Sequence, residues 1–369
     1  MAKFSLNFYL LIGFLILTVI TLVLVFTLSN KSEKNEVDLP SGYKYILYWT
    51  PFWWHTDFLI GFGTEPFKNC EYKNCFATNN KALKPVEEFD AIIFHASIYK
   101  PQTHGTPSRR TPNQIYIFCN VEAPAYIAPN FTQFNSFYNW TMTYRFDSDI
   151  VSRHGKFVEE NTNYSTPSVG FFRNKTEQIA WFVSHCDTSS KREVLAKEMQ
   201  KFIPVDIYGK CGPLKCEKVQ NNELSAPKCY DMVEEKYKFY LSFENSLCKD
   251  YSTEKLYNLL QKNVIPIVYG AGDYNLSAPP HSVVDVSDFE TVEQLTDYLY
   301  FLSNNVTEYY RYFEWKKHYK IVPSSKACDI CKKLNQPLDQ SVYEDLQGWS
   351  WGKSNEICKP GEHLPNIVK

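Results

Sequence analysis

The functional groups most usable for chemistry concentrate in Phe239-Tyr240-Leu241-Ser242-Phe243-Glu244-Asn245, the polar turn 246–250, and Tyr251-Ser252-Thr253-Glu254-Lys255. An apolar, strand-like run empties there into a turn and then into the start of a helix. Free N–H groups and the dipole at a helix amino terminus attract phosphate. A cation in that first turn is mildly unfavourable for the helix itself, so Lys255 suggests an anionic ligand. Pattern alone leaves a solvated surface lysine on an ordinary strand–helix unit equally open. A second chemistry is offered by Asp147-Ser148-Asp149, since paired carboxylates can hold Mn²⁺ through nucleotide phosphates. That spacing is short and common, which weakens it. Cys328-Asp329-Ile330-Cys331 is half of a zinc site by spacing. No matching Cys or His pair stands at finger distance, so cystine is the better reading.

These groups need a scaffold, and the apolar patterning supplies one. Strand-length runs cover 43–49, 91–96 and 114–121, the last leading into Glu122-Ala123-Pro124. Residues 98–113 and the sequon-bearing stretch 152–176 read as loops, and a domain boundary is placed in the second. Beyond it, strands are expected at 179–184, 205–208, 238–245, 264–269 and 283–286. Helices alternate with them. One opens with Ser190 and Glu193 at capping-box spacing, one runs from Thr253 to about Asn263, and one starts near Thr291 with Gln294 at the capping position. Val292, Leu295, Leu299 and Leu302 give that last helix an apolar face. Strand–helix alternation implies α/β architecture, a parallel sheet covered on both faces, with ligands at the carboxyl ends of the strands.

With 369 residues the length favours two domains. The 39 basic and 41 acidic residues leave a net charge of −2, without the clustered basic excess of a nucleic-acid binder. No charge interrupts the chain between Lys3 and Lys31, and residues 8–28 are long enough for one spanning helix. A cleaved signal peptide would have a shorter apolar core followed by small residues. The expectation is therefore a cytoplasmic tail (1–7), a transmembrane signal-anchor (8–28) and a stem (29–42), oriented by the positive-inside rule. Sequons at Asn130, Asn139, Asn163, Asn174, Asn275 and Asn305, with another at Asn30, are candidate glycosylation sites. Eleven cysteines suit an oxidising compartment, and their odd number leaves one over. Cys119, inside an apolar run, is the candidate buried thiol.

From Tyr237 to Tyr269 the chain reads Tyr-Lys-Phe-Tyr-Leu-Ser-Phe-Glu-Asn-Ser, then Asp-Tyr-Ser-Thr-Glu-Lys, then Val-Ile-Pro-Ile-Val-Tyr. This resembles the donor-binding signature of the α1,3-fucosyltransferases, glycosyltransferase family 10. Other pieces match in order: Val121-Glu122-Ala123-Pro124, Asn139 to Arg145 with Asp147-Ser148-Asp149, Trp181-Phe182-Val183-Ser184 leading to Arg192, Tyr310 to Lys316, and the Cys328/Cys331 pair. The likeness covers nearly everything after the stem.

The resemblance implies a GT-B fold of two facing Rossmann-like domains, acceptor-binding (43–175) and GDP-fucose-binding (176–325), followed by a cysteine-bearing extension (326–369). It implies inverting α1,3 transfer of L-fucose to GlcNAc of N-glycans or related glycans. The enzyme would sit in the Golgi membrane as a single-pass type II protein with a lumenal catalytic part. No cofactor is obligatory, a divalent metal serving at most as a stimulant. Glu122 is implied as general base, Arg192 and Lys255 as diphosphate binders, and Asn245, Tyr251 and Glu254 as donor contacts. Glu244 is left as structural. Cys70 or Cys75 is implied to pair with the carboxy-terminal cysteines. Ser252 and Arg153-His154-Gly155 depart from the usual pattern, the second in the acceptor half. Ser184-His185-Cys186 and 246–251 look more like the invertebrate and core-type branch. Two alternatives stand against this reading: an inactive lumenal lectin-like relative, and a metal-dependent transferase using Asp147 and Asp149.

Overall fold

A computed structural model describes residues 18, 21, 41–127, 132–216, 227–352 and 356–359. The expected tail and the sequons at Asn30 and Asn130 lie outside the described residues. So do the anchor, apart from Thr18 and Thr21, and most of the stem. No helix among the described residues is long and apolar enough to cross a membrane. The described residues from Lys44 onward form one compact unit.

Within this unit the apolar runs become two parallel sheets. The first contains β1 (Lys44–Tyr48), β2 (Cys75–Thr78), β3 (Ala91–His95), β4 (Ile115–Asn120), β5 (Trp140–Thr143) and β6 (Ile150–Val151), in the spatial order β2-β1-β3-β4-β5-β6. Every residue of β3, β4 and β5 is buried, as expected for central strands of a sheet covered on both faces. β7 (Lys156–Glu159) falls in the stretch read from sequence as a loop. The second sheet is built from β8 (Glu177–Phe182), β9 (Val205–Tyr208) and β10 (Tyr237–Phe243). β11 (Leu247–Cys248) leaves it, and β12 (Ile265–Tyr269) and β13 (Val284–Asp285) complete it in the order β13-β12-β10-β8-β9. The first five strands of each sheet thus follow one plan: second, first, third, fourth, fifth. That plan places a crevice between the first and third strands, where the connections depart to opposite faces.

The remaining strands tie distant parts of the chain together. β14 (Tyr319–Val322) pairs antiparallel with β7, and β15 (Cys358–Lys359) with β11. Alternation along four half-exposed residues is a weak signal, so the β7 pairing was not visible beforehand.

The helix Val292–Asn304 begins as expected, with Thr291 Oγ1 accepting from the Gln294 N–H and the four named apolar residues buried. The helix Arg192–Met199 departs from expectation. Lys191 sits at its amino-terminal cap in the left-handed region, with φ of 54°. Ser190 Oγ instead donates to the Glu244 carbonyl, and Glu193 accepts from Thr188 Oγ1. Tertiary bonding therefore replaces the local box.

The cysteines resolve completely. Cys70–Cys328 and Cys75–Cys331 fasten the helix Lys326–Leu334 to the first sheet, and Cys248–Cys358 fastens the end of the described chain beside β11. Cys186–Cys211 and Cys216–Cys229 are local. Cys119 is free and fully buried, its thiol pushed up to about 12 by burial.

Among the sequons, Asn163, Asn174 and Asn275 are exposed, and Asn305 is half-buried, its Oδ1 accepting from the Glu308 N–H. Asn139 differs from these. Its side chain is buried, its Nδ2 donates to the Gln340 and Ser341 carbonyls, and its Oδ1 accepts from the Tyr116 N–H. A glycan on Nδ2 would have to displace the segment 339–343 from the sheet.

Candidate active site

The site forms where carboxyl ends of the two sheets meet. In the second sheet, β8 and β10 flank the crevice, and a cavity of about 310 Å³ opens there. Phe182, Tyr208, Tyr230 and Tyr240 line it as an aromatic wall; Ser184, His185, Arg192, Asn245, Glu254 and Lys255 supply its polar part. A large apolar-walled cavity with a few convergent polar groups is the usual form of a small-molecule site.

Arg192 starts its helix buried at 4% exposure. Its guanidinium donates to the Phe243 carbonyl at 2.7 Å and the His185 carbonyl at 3.2 Å, holding the β8 and β10 ends together. Its Nε has no partner among the described residues, and neither has Asn245 Oδ1. Buried polar atoms are nearly always paired, so these two orphans, both on cavity-lining residues, fit a ligand that brings its own donors and acceptors.

Lys255 is the second residue of the helix Glu254–Leu260. Its ammonium lies 3.2 Å from Glu244 and 3.2 Å from Glu254, and donates to Thr253 Oγ1 at 2.8 Å. Burial would lower its pKa, but the two carboxylates outweigh this and raise it, keeping the ammonium charged. Glu244, read as structural from the sequence, organises this corner. It accepts from the Thr253 N–H at 2.8 Å and from the Thr253 hydroxyl at 2.9 Å while pairing with Lys255. Burial pushes Glu244 upward against those donors. At Glu254, burial acts upward as well, but Lys255 and His154 prevail and bring it to about 2. His154 Nδ1 stands 3.6 Å from Glu254. His154, one of the departing residues in Arg153-His154-Gly155, therefore stands beside a cavity-lining carboxylate of the donor half.

Glu122 follows β4, its backbone N–H bonded to Asn120 Oδ1 at 3.2 Å. Its carboxylate accepts from the Tyr251 hydroxyl at 3.2 Å. Burial raises its pKa, Lys255 lowers it, and Glu254 raises it again. A carboxylate that holds protons more tightly than usual is a better base once ionised.

Tyr251 stands apart from these residues. It is not among the residues lining the cavity; it is 1% exposed, stacks edge-on against Tyr144 at 4.8 Å and serves Glu122. Nothing in the local sequence encodes a partner 129 positions away. Asn245, Glu254, Arg192 and Lys255 do line the cavity together. The two sheets are further pinned by the Phe146 N–H donating to Asp250 at 3.2 Å, by Lys249 with Asp147 at 3.4 Å, and by Tyr126 OH donating to the Asn245 carbonyl.

Both acidic residues of Asp147-Ser148-Asp149 have cationic partners. Arg145 grips Asp147 with two nitrogens, and Asp149 takes Lys333, the Tyr343 hydroxyl and the Thr141 N–H. Such engagement suits a structural clamp better than a metal-chelating pair.

Residues 41–155 match the family described as "Fucosyltransferase, N-terminal", and residues 172–349 match "Glycosyltransferase family 10 (fucosyltransferase) C-term". The chain belongs to glycosyltransferase family 10, the fucosyltransferases. Alpha-(1,3)-fucosyltransferase C of Drosophila melanogaster is 38% identical over 332 residues, covering 82% of this chain and 77% of the fly protein. Glycoprotein 3-alpha-L-fucosyltransferase A of the same organism is 36% identical over 295 residues; these cover 76% of this chain and 55% of that relative's length. A solved alpha1,3-fucosyltransferase with GDP-fucose aligns at a TM-score of 0.47 and 17% identity, over 82% of this chain and 93% of that one.

Replacing Tyr251 with Phe removes one hydrogen bond to a charged carboxylate, worth about 1.5–3 kcal/mol. That bond lowers the Glu122 pKa, so the expected result is an acid limb of kcat/KM moved to higher pH, with GDP affinity unchanged by calorimetry. An unmoved limb would show that Glu122 does not depend on Tyr251.

Proposed function

We propose that this chain transfers L-fucose from GDP-fucose, with inversion and in α1,3 linkage, to GlcNAc of N-glycans or related glycans. The observation that carries the reading is the pairing of a cation-bearing donor cavity with a carboxylate of raised pKa held by the Tyr251 hydroxyl. Residues 43–175 are the acceptor half, residues 176–325 the donor half and 326–369 the extension of a GT-B arrangement.

The step balances simply. Glu122 takes the proton from the acceptor O3 hydroxyl as that oxygen bonds to fucose C1. The C1–phosphate oxygen bond breaks, and its electron pair leaves with GDP. Arg192 and Lys255 offset the charge arriving on the diphosphate, work that needs no obligatory metal. The aromatic wall of Phe182, Tyr208 and Tyr230 receives the guanine, and Asn245 and Glu254 bind sugar hydroxyls or base edges. Residues 8–28 anchor the protein as a type II Golgi membrane protein with this site in the lumen, a placement supported by five disulfides.

The test is the full chain in detergent with GDP-fucose and EDTA, offered core N-glycan and N-acetyllactosamine acceptors, with products read by mass. Fucose on either acceptor supports the reading. Activity dependent on Mn²⁺ would favour the Asp147/Asp149 alternative, and GDP binding without any transfer the lectin-like one.

A further inference from the structure

The first sheet has its own crevice, between β1 and β3, and the chain covers it with an aromatic loop. Leaving β1, residues 49–62 run Trp-Thr-Pro-Phe-Trp-Trp-His-Thr-Asp-Phe-Leu-Ile-Gly-Phe. Trp53 is 37% and Trp54 59% exposed, which leaves two adjacent indole rings open to a ligand. The backbone supports their display. Trp53 has φ of 56°, a region costly for a bulky residue.

What holds Trp53 in place is the end of β3. Its N–H donates to His95 Nδ1 at 3.3 Å, and its ring meets His95 edge-on at 5.0 Å. His95 is fully buried, stacked on Phe52 at 4.4 Å, and its own N–H donates to Thr50 Oγ1. The loop is therefore anchored to the sheet edge that also carries Glu122. The linkage continues through the Ala96 N–H to the Cys119 carbonyl and through Ser97 Oγ and the Glu122 N–H to Asn120 Oδ1. β1 and β4 are two strand spacings apart, about 10 Å. That span is wider than the reacting sugar ring and suits a short oligosaccharide.

We propose that Trp53 and Trp54 form an acceptor subsite that stacks the sugar neighbouring the GlcNAc which receives fucose. The inference rests on the transferase reading above and adds to it the residues that hold the acceptor beyond the reacting GlcNAc. Aromatic rings with an exposed face suit the apolar face of a pyranose and cost little rotamer entropy on binding.

The test compares the full chain with Trp53→Ala and Trp54→Ala, using GDP-fucose with either the methyl glycoside of GlcNAc or a GlcNAc-containing oligosaccharide. Each variant is expected to raise the oligosaccharide KM about tenfold, the effect of losing one aromatic anchor. The kcat/KM for the monosaccharide and the affinity for GDP stay unchanged, and Trp54→Phe restores most of the oligosaccharide KM. An unchanged oligosaccharide KM in both variants overturns the proposal. So does an equal loss on both acceptors, which would mark a general role in folding or catalysis. If the unsubstituted chain binds GDP but fucosylates neither acceptor, the transferase reading itself fails, and the subsite falls with it.

Discussion

Glu122→Gln is expected to lower transfer by about a hundred- to ten-thousand-fold, the usual contribution of a general base, while GDP binds as before. The substitution keeps the size of the side chain and an oxygen to accept from Tyr251 OH, so the fold has no reason to change. It removes the one property the mechanism needs, a charge able to accept a proton from the acceptor hydroxyl. GDP binding survives because the cavity is lined by other residues. Calorimetry with GDP and a transfer assay on the same sample separate the two effects. Full activity in the glutamine variant would remove Glu122 as the base.

Much of the scaffold was legible in the sequence because central parallel strands are buried on both faces and show as continuous apolar runs. β3, β4 and β12 fall within the expected segments, β10 begins one residue ahead of its own, and β9 matches its segment end to end. β2 and β5 are short runs interrupted or ended by Thr and had no such signal of their own. The tie of Cys70 and Cys75 to the carboxy-terminal cysteines came from the family likeness, since spacing cannot pair residues more than 250 positions apart. At the site, residue types were legible and partnerships were not. Lys255 was singled out by its place in a helix's first turn, but Glu244, which holds it, looked like one more strand-end acid. Tyr251 shows the same limit: the signature marks the residue, and only the meeting of the two sheets turns its hydroxyl toward Glu122. Asn139 shows the converse, a sequon whose side chain is consumed by the fold.

Lys255→Ala should produce two linked effects, and their signs follow from its neighbours. Losing a charge-assisted contact to the diphosphate should weaken GDP binding by about 1.5–3 kcal/mol, roughly ten- to a hundredfold. The same ammonium lowers the pKa of Glu122 against burial, the larger influence. Its removal therefore raises that pKa further. A base works only when ionised, so activity is lost as pH falls through the Glu122 value. The acid limb of kcat/KM, which reports the free enzyme, should accordingly move to higher pH in the variant. Glu244 supplies an internal control. Without Lys255 this buried carboxylate keeps only the Thr253 donors, so its raised pKa rises further. A group that binds protons more tightly when folded costs stability as pH rises, and the variant's Tm deficit should grow from acid toward neutral pH. A shifted acid limb with unchanged GDP affinity would keep Lys255 as an electrostatic partner of Glu122 and remove it from the diphosphate. Weakened GDP binding with an unmoved limb would do the opposite, leaving Glu122 tuned by burial and Tyr251 alone.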